Sequence, residues 1–183
     1  MNLAIDQGNS STKFGFFDKG SLNATYKRIF LDKNYLEELK EKYHPDHVII
    51  SSVTQDLEEL TTVFNDIPGK LIQFNNHISI PLKNQYETPE SLGKDRLAAA
   101  TGAATLYPGE PLLVIDAGSA ITFDLVTDNT FWGGNISPGL QMRFSSLHQQ
   151  TRNLPQITAG ATPFWGKTTD QAIRAGVQNG IAL

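Results

Sequence analysis

Asp6-Gln-Gly8-Asn-Ser10-Ser-Thr-Lys13 and Asp116-Ala-Gly118-Ser-Ala-Ile-Thr122 set out the same chemistry twice: a carboxylate, a glycine two positions on, and hydroxyl side chains close behind. Each stretch follows a short apolar run and precedes a second β-rich run, so each predicts a strand, a tight turn and a returning strand. Aligned on Asp6 and Asp116, Gly8 meets Gly118 and Thr12 meets Thr122. Glycine permits turn conformations that a Cβ obstructs, and leaves backbone N–H groups open to a bulky anion. Asn, Ser and Thr side chains add donors to phosphate oxygens, and the Asp that ends the first strand can hold a cation, or its water, beside that phosphate. One Asp-x-Gly with a nearby Ser is also an ordinary hairpin turn. Two copies, each between apolar runs, favour a duplicated phosphate-binding turn.

A second constellation is Gly93-Lys94-Asp95-Arg96. A carboxylate beside a guanidinium at a helix start serves either as general base with an anion clamp, or as a surface ion pair with capping value. Two other patterns mislead. Residues 161–168, Ala-Thr-Pro-Phe-Trp-Gly-Lys-Thr, fit a loose P-loop, but Pro163, Phe164 and Trp165 fill the would-be cradle and no hydrophobic strand precedes it. Ser10-Ser-Thr-Lys13 matches the Ser-x-x-Lys of penicillin-binding enzymes, yet belongs to a hairpin and not to a helix start. His44, His47, His77 and His148 lack metal-ligand spacing, and Trp132 and Trp165 read as packing residues. Gly133-Gly134 and Pro138-Gly139 are turn punctuation, or let the backbone approach a ligand.

The elements that must position these groups follow from periodicity. Residues 2–17 read as a hairpin, with 26–31 as a third strand. Tyr35, Leu36, Leu39 and Tyr43 mark one side of a helix that Pro45 stops. Residues 47–53 suit a buried parallel strand. Thr54 is placed to cap a helix carrying Leu57, Leu60, Val63 and Phe64, which Pro68-Gly69 ends, and 70–74 gives another strand. A loop over 75–89 leads to an Ala-rich helix over 92–106. Past the Pro108–Pro111 boundary come the second hairpin (112–126), a turn at 127–129, a strand at 131–136, a helix to about 150, an irregular stretch, and a helix over 168–181. Strands alternating with helices predict an α/β fold with mixed sheets.

Composition narrows the partners. The 183 residues suffice for one good core or two small ones, and the net charge of −4 with scattered Lys and Arg argues against nucleic acid. There are no cysteines, hence no disulfides, thiolate metal sites or Cys nucleophile. With no signal-like amino terminus and no apolar run of spanning length, a cytoplasmic protein with no membrane partner is expected.

In order, Asp6-x-Gly-Asn-Ser-x-x-Lys13, Tyr86-x-x-Pro89-x-x-Leu-Gly93-x-Asp-Arg96, Asp116-x-Gly-Ser-Ala-x-Thr-x-Asp124, Gly133-Gly-x-Ile-x-Pro-Gly139 and Thr169-x-x-Ala-Ile-x-x-Gly176 resemble the motifs of the type III pantothenate kinases. That family belongs to the actin, sugar-kinase and heat-shock-chaperone ATPase superfamily. The resemblance implies two ribonuclease-H-like lobes (1–110 and 111–183) with mixed sheets flanked by helices and an ATP cleft between them. Family members continue beyond Leu183 into a closing segment that holds the adenosine, so the second lobe is expected to be incomplete. The resemblance also implies ATP-dependent phosphorylation of pantothenate to 4'-phosphopantothenate, the first step of coenzyme A biosynthesis. ATP phosphates would lie on Asp6, Gln7, Gly8, Asn9, Ser10, Ser11, Thr12 and Lys13, with Ser119 reaching them from the second turn. Asp6 would help place Mg²⁺, and Asp116 would bind K⁺ or NH₄⁺. Tyr86, Gly93, Lys94, Asp95, Arg96 and Thr169 would line the pantothenate pocket, with Asp95 the catalytic base. Ser119 stands where the family commonly has Thr. A homodimer is implied too. A non-catalytic regulator of the same fold and a kinase for another small hydroxyl substrate are the alternatives.

Overall fold

The computed structural model describes residues 1–8, 10–53, 57–75 and 77–182. The chain divides into two compact units, Met1–Gly102 and Ala103–Leu183.

In the first unit, β1 (Asn2–Gln7), β2 (Thr12–Asp18) and β3 (Ser21–Arg28) are followed by α1 (Lys33–Tyr43), β4 (His47–Ser52), α2 (Glu58–Val63) and β5 (Leu71–Gln73). A short β6 (Lys83–Asn84) and a 3-10 turn (Pro89–Ser91) precede α3 (Lys94–Leu106), within which the division falls. The strands order β3-β2-β1-β4-β5, with β1 antiparallel to β2 but parallel to β4, and β4 parallel to β5. Alternation decides the core: Leu3 and Ile5 pair with Phe16 and Phe14, so all four project to one face. There they join Val48 and Ile50 against Leu36, Leu39, Leu60, Val63 and Phe64.

Helix α1 starts where Asp32 Oδ1 accepts the Tyr35 N–H over 2.9 Å. It ends at His44, whose φ of 44° breaks the helix one residue before Pro45. Its Lys40 reaches the end of α2, donating to the Val63 carbonyl over 2.8 Å and pairing with Asp66.

The third strand begins at Ser21, ahead of the expected 26–31. Lys19 (φ 47°) and Gly20 (φ 84°) form a two-residue turn of the left-handed kind that hairpins favour, which starts pairing at once with Asp18 opposite Ser21. Ile29 and Phe30, the apolar residues that suggested a later strand, are exposed beyond its end. The expected cap Thr54 lies outside the described residues; α2 begins at Glu58.

The second unit contains β7 (Leu112–Ala117), β8 (Ala120–Thr127), β9 (Thr130–Pro138), α4 (Leu140–Gln150) and α5 (Thr169–Ala182). The strands β9, β8 and β7 run antiparallel in that order, with Asp128 and Asn129 (φ 50° and 57°) turning β8 into β9. Phe144, Ile157, Ile173 and Val177 form a core between α4, α5 and the irregular stretch that joins them. That stretch is strapped to α5: the Gln178 amide bonds the N–H and the carbonyl of Gly160, and Arg174 Nε donates to the Thr158 carbonyl.

The tryptophans do not pack as the sequence suggested. The β8–β9 register shifts so that Leu125 faces Gly133 and Val126 faces Phe131, which leaves Trp132 in the bulge; Phe131 is the buried residue and Trp132 is exposed. Trp132 Nε1 donates to Thr127 Oγ1 over 2.8 Å. Trp165 is 80% exposed, edge-on to Phe164. Among the described residues no helix is long and apolar enough to cross a membrane.

Candidate functional site

Both predicted turns form, and they differ by one residue. In the first, Asp6 lies opposite Lys13 and Gln7 opposite Thr12, and the Gly8 N–H donates to the Ser11 carbonyl over 3.0 Å. In the second, Asp116 lies opposite Thr122 and Ala117 opposite Ile121, and the Gly118 N–H donates to the Ala120 carbonyl over 2.9 Å. Thr122 therefore occupies the place of Lys13 and not that of Thr12, so the sequence match between the two threonines is not a structural one. The consequence is electrostatic. Lys13 Nζ stands 3.5 Å from Asp6 Oδ2, whereas the residue across the ladder from Asp116 is a neutral hydroxyl. Asp116 and Ser119 are exposed, Ser10 is exposed, and Thr12 is buried. Asn9 lies outside the described residues.

The turns do not need glycine for their own geometry. Neither Gly8 nor Gly118 takes a positive φ, and a Cβ would stand 3.5 Å from the Ser11 carbonyl oxygen or 3.7 Å from that of Ala120, ordinary contact distances. This corrects the expectation that turn conformation requires them.

The later glycines have an internal role. Gly139 precedes α4, its N–H donates to the Ser119 carbonyl over 3.0 Å, and a Cβ there would overlap the Gly118 and Ser119 carbonyl oxygens. Gly134 lies opposite Asp124, and a Cβ would drive into the Phe123 carbonyl and come 2.8 Å from Asp124 Oδ1. Gly133 takes φ 104° at the bulge. What these glycines admit closely is the chain's own backbone, which seats the second turn on the start of α4.

At the start of α3, Asp95 Oδ1 accepts the Arg96 N–H over 2.9 Å, and a Cβ on Gly93 would come 2.5 Å from that same oxygen. Gly93 thus leaves room for the Asp95 carboxylate, which is exposed, while Arg96 is buried. The Arg96 guanidinium lies 5.5 Å from the Tyr86 ring centroid, within cation–π range, and the Tyr86 N–H donates to Asn84 Oδ1 over 3.0 Å. Tyr86, Gly93, Asp95 and Arg96 are therefore gathered in one place.

Lys94 connects that place to the first turn. Its Nζ donates to the Ser52 carbonyl over 3.3 Å, and Ser52 Oγ donates to Gln7 Oε1 over 2.8 Å. Ser52 was not among the sequence candidates. Counting the β1–β4 ladder would have found it, because Gln7 and Ser52 are opposite one another. In the second unit, Thr169 opens α5 and borders a cavity of about 650 Å³ lined also by Arg143, Leu147, Leu154, Ile173 and Val177. Among the described residues no three His, Cys, Asp or Glu side chains group as a metal site.

The sequence model of one family, described as type III pantothenate kinase, matches residues 2–183. A curated protein of Phocaeicola vulgatus with that description is 40% identical over 183 residues, covering 99% of this chain and 76% of that protein. One from Bacteroides fragilis is 42% identical over 183 residues, covering 99% and 75%. A crystal structure described as a conserved Baf family transcriptional activator from Campylobacter jejuni superposes with a TM-score of 0.56 at 26% identity, covering 98% of this chain and 75% of that one.

Proposed function

This chain belongs to the type III pantothenate kinase family, and from that premise we propose how its residues divide the work of phosphorylating pantothenate. The reaction is a phosphoryl transfer to a hydroxyl, giving 4'-phosphopantothenate, the first step towards coenzyme A. ATP supplies the γ-phosphoryl group. Catalysis of this kind is mostly positioning and charge neutralisation, so a carboxylate near the acceptor and a frame of cations and amides suffice.

The single observation that carries this reading is the family match over residues 2–183, and the geometry agrees with it. The chemistry of the first turn suits a polyphosphate: the glycine at position 8, the Lys13 ammonium beside the Asp6 carboxylate, and hydroxyls on Ser10 and Ser11. In this proposal Gln7 to Lys13, Asn9 included, hold the phosphates, and Ser119 adds a hydroxyl from the second turn. Mg²⁺ would be held by Asp6, water and the phosphates, because Mg²⁺ is commonly bound through one or two carboxylates and substrate oxygens. Asp116 would hold the monovalent cation, K⁺ or NH₄⁺; its carboxylate has no cationic cross-strand neighbour, in contrast with Asp6.

Asp95 takes the proton from the pantothenate hydroxyl. The bond from the Arg96 N–H fixes one oxygen and orients the other. Tyr86, Gly93, Lys94, Arg96 and Thr169 are the proposed contacts of pantothenate, Arg96 holding either its carboxylate or the moving phosphoryl group. The same reading assigns the two lobes to 1–110 and 111–183 and the active form to a cytoplasmic homodimer.

A non-catalytic regulator is the second reading, favoured by the description of the Campylobacter jejuni structure. Retention of Asp6, Lys13, Asp95 and Asp116, and a net charge of −4, speak for the enzyme. A coupled ADP-release assay across pantothenate, sugars and acetate separates the readings: turnover confined to pantothenate is expected, and turnover with none of them would favour the regulator. Sedimentation velocity tests the dimer.

A further inference from the structure

Ser52 joins two groups of residues that are far apart in sequence, and the proposal that follows rests on the kinase reading above. Gln7 and Ser52 form the last rung of the parallel β1–β4 ladder. Beyond this rung β1 enters the glycine turn, and the Val53 N–H still donates to the Gln7 carbonyl over 3.1 Å. Ser52 is 4% exposed, and its hydroxyl donates to Gln7 Oε1 over 2.8 Å. Its carbonyl accepts from Lys94 Nζ over 3.3 Å, immediately before Asp95 at the start of α3. One buried residue thus touches the root of the phosphate turn through its hydroxyl and the start of the catalytic helix through its carbonyl. The Lys94 bond is to a main-chain carbonyl that any residue at 52 would offer, so what serine itself adds is the hydroxyl bond to Gln7. A bond to the Gln7 side chain steers a group that borders the turn, and the Lys94 ammonium fixes the rotation of the first turn of α3 against β4.

We propose that Ser52 is a positioning residue for phosphoryl transfer, setting the Gln7–Lys13 turn and the Asp95 carboxylate at a fixed separation. Holding two reacting groups in register acts on the chemical step, while each substrate keeps its own contacts when bound alone.

The test is steady-state kinetics on the full chain with Ser52→Ala, Ser52→Thr and Ser52→Cys, the last clean because the chain has no native cysteine. Wild-type turnover of pantothenate is measured first; its absence would count against the kinase reading, separately from Ser52. With wild type active, Ser52→Ala is expected to lower kcat roughly ten- to a hundredfold. KM for ATP and for pantothenate should stay within about twofold, the pattern of a lost transition-state contribution. Ser52→Thr, which keeps the hydroxyl, should recover most of kcat. Ser52→Cys, nearly isosteric with a weak donor, should fall between and covers the case in which the alanine variant does not fold. A kcat near wild type in a folded Ala or Cys variant would overturn the proposal. So would a loss confined to KM, which points to ground-state binding, or a Thr variant as slow as Ala, which would show that the hydroxyl is not what acts.

Discussion

Asp95 turns one carboxylate oxygen back onto the N–H of Arg96, 2.9 Å away, at the first turn of α3. The bond does two things at once. It satisfies one of the helix's unpaired N–H groups, and it leaves the second oxygen with a defined direction. Gly93 leaves room for it, since a Cβ there would stand 2.5 Å from the same oxygen. The capping and catalytic interpretations of Gly-Lys-Asp-Arg are therefore compatible: under the proposed function, the cap would orient the base.

Asp95→Asn keeps the cap, because the amide oxygen still accepts from Arg96, but removes the proton acceptor. We expect kcat to fall by about 10²–10⁴ with pantothenate binding by calorimetry little changed. Near-normal turnover would remove Asp95 from the mechanism.

Gly139→Ala should disturb the second turn from behind. The added methyl meets the Gly118 and Ser119 carbonyls, which are backbone and cannot rotate away. Overpacking of this kind costs about 1–3 kcal/mol, so a lower thermal midpoint is expected together with a higher KM for ATP. A variant as stable and as active as wild type would show that the turn is not seated on α4.

Asp116→Ala should flatten the response of activity to KCl or NH₄Cl while the fold, followed by circular dichroism, persists. The reasoning is the missing cross-strand cation: Asp6 has Lys13 beside it, and Asp116 has Thr122 opposite. An unchanged monovalent-cation profile would contradict the assignment.

Acid should weaken the first unit through Asp66 and Asp46. The bond from the Lys40 ammonium holds the Asp66 carboxyl below its ordinary value, and the bond from the amino-terminal ammonium does the same for Asp46. A carboxyl lowered on folding contributes stability above its unfolded pKa, about 3.9, and loses it as pH falls through the folded value. Wild type should therefore exceed Asp66→Asn in urea midpoint at pH 7, with the gap closing below about pH 4. A gap that stays constant would exclude the ion pair as its source.

The two hairpins were legible because alternating apolar residues, Asp and Gly are all local signals, and the observed strands Asn2–Gln7, Thr12–Asp18, Leu112–Ala117 and Ala120–Thr127 bear them out. Local signals also misled where the structure depended on something else. Ile29 and Phe30 look like strand residues, yet Lys19-Gly20 had already set the register and left them outside. Thr12 and Thr122 match letter for letter, but turn length decides which residues face each other. Ser52 gave no motif at all, because its role depends on a contact 45 residues back and one 42 residues on. Trp132 shows that a bulge can turn a large apolar side chain outward while its neighbour Phe131 fills the core.

The most direct test is ADP release by the purified 183-residue chain with ATP, Mg²⁺ and K⁺, with and without pantothenate. Turnover that needs pantothenate, falls at least about a hundredfold with Asp95→Asn and yields 4'-phosphopantothenate by mass spectrometry is the predicted result. Release that is indifferent to pantothenate, or product formation at a near-normal rate after loss of the Asp95 carboxylate, would contradict it.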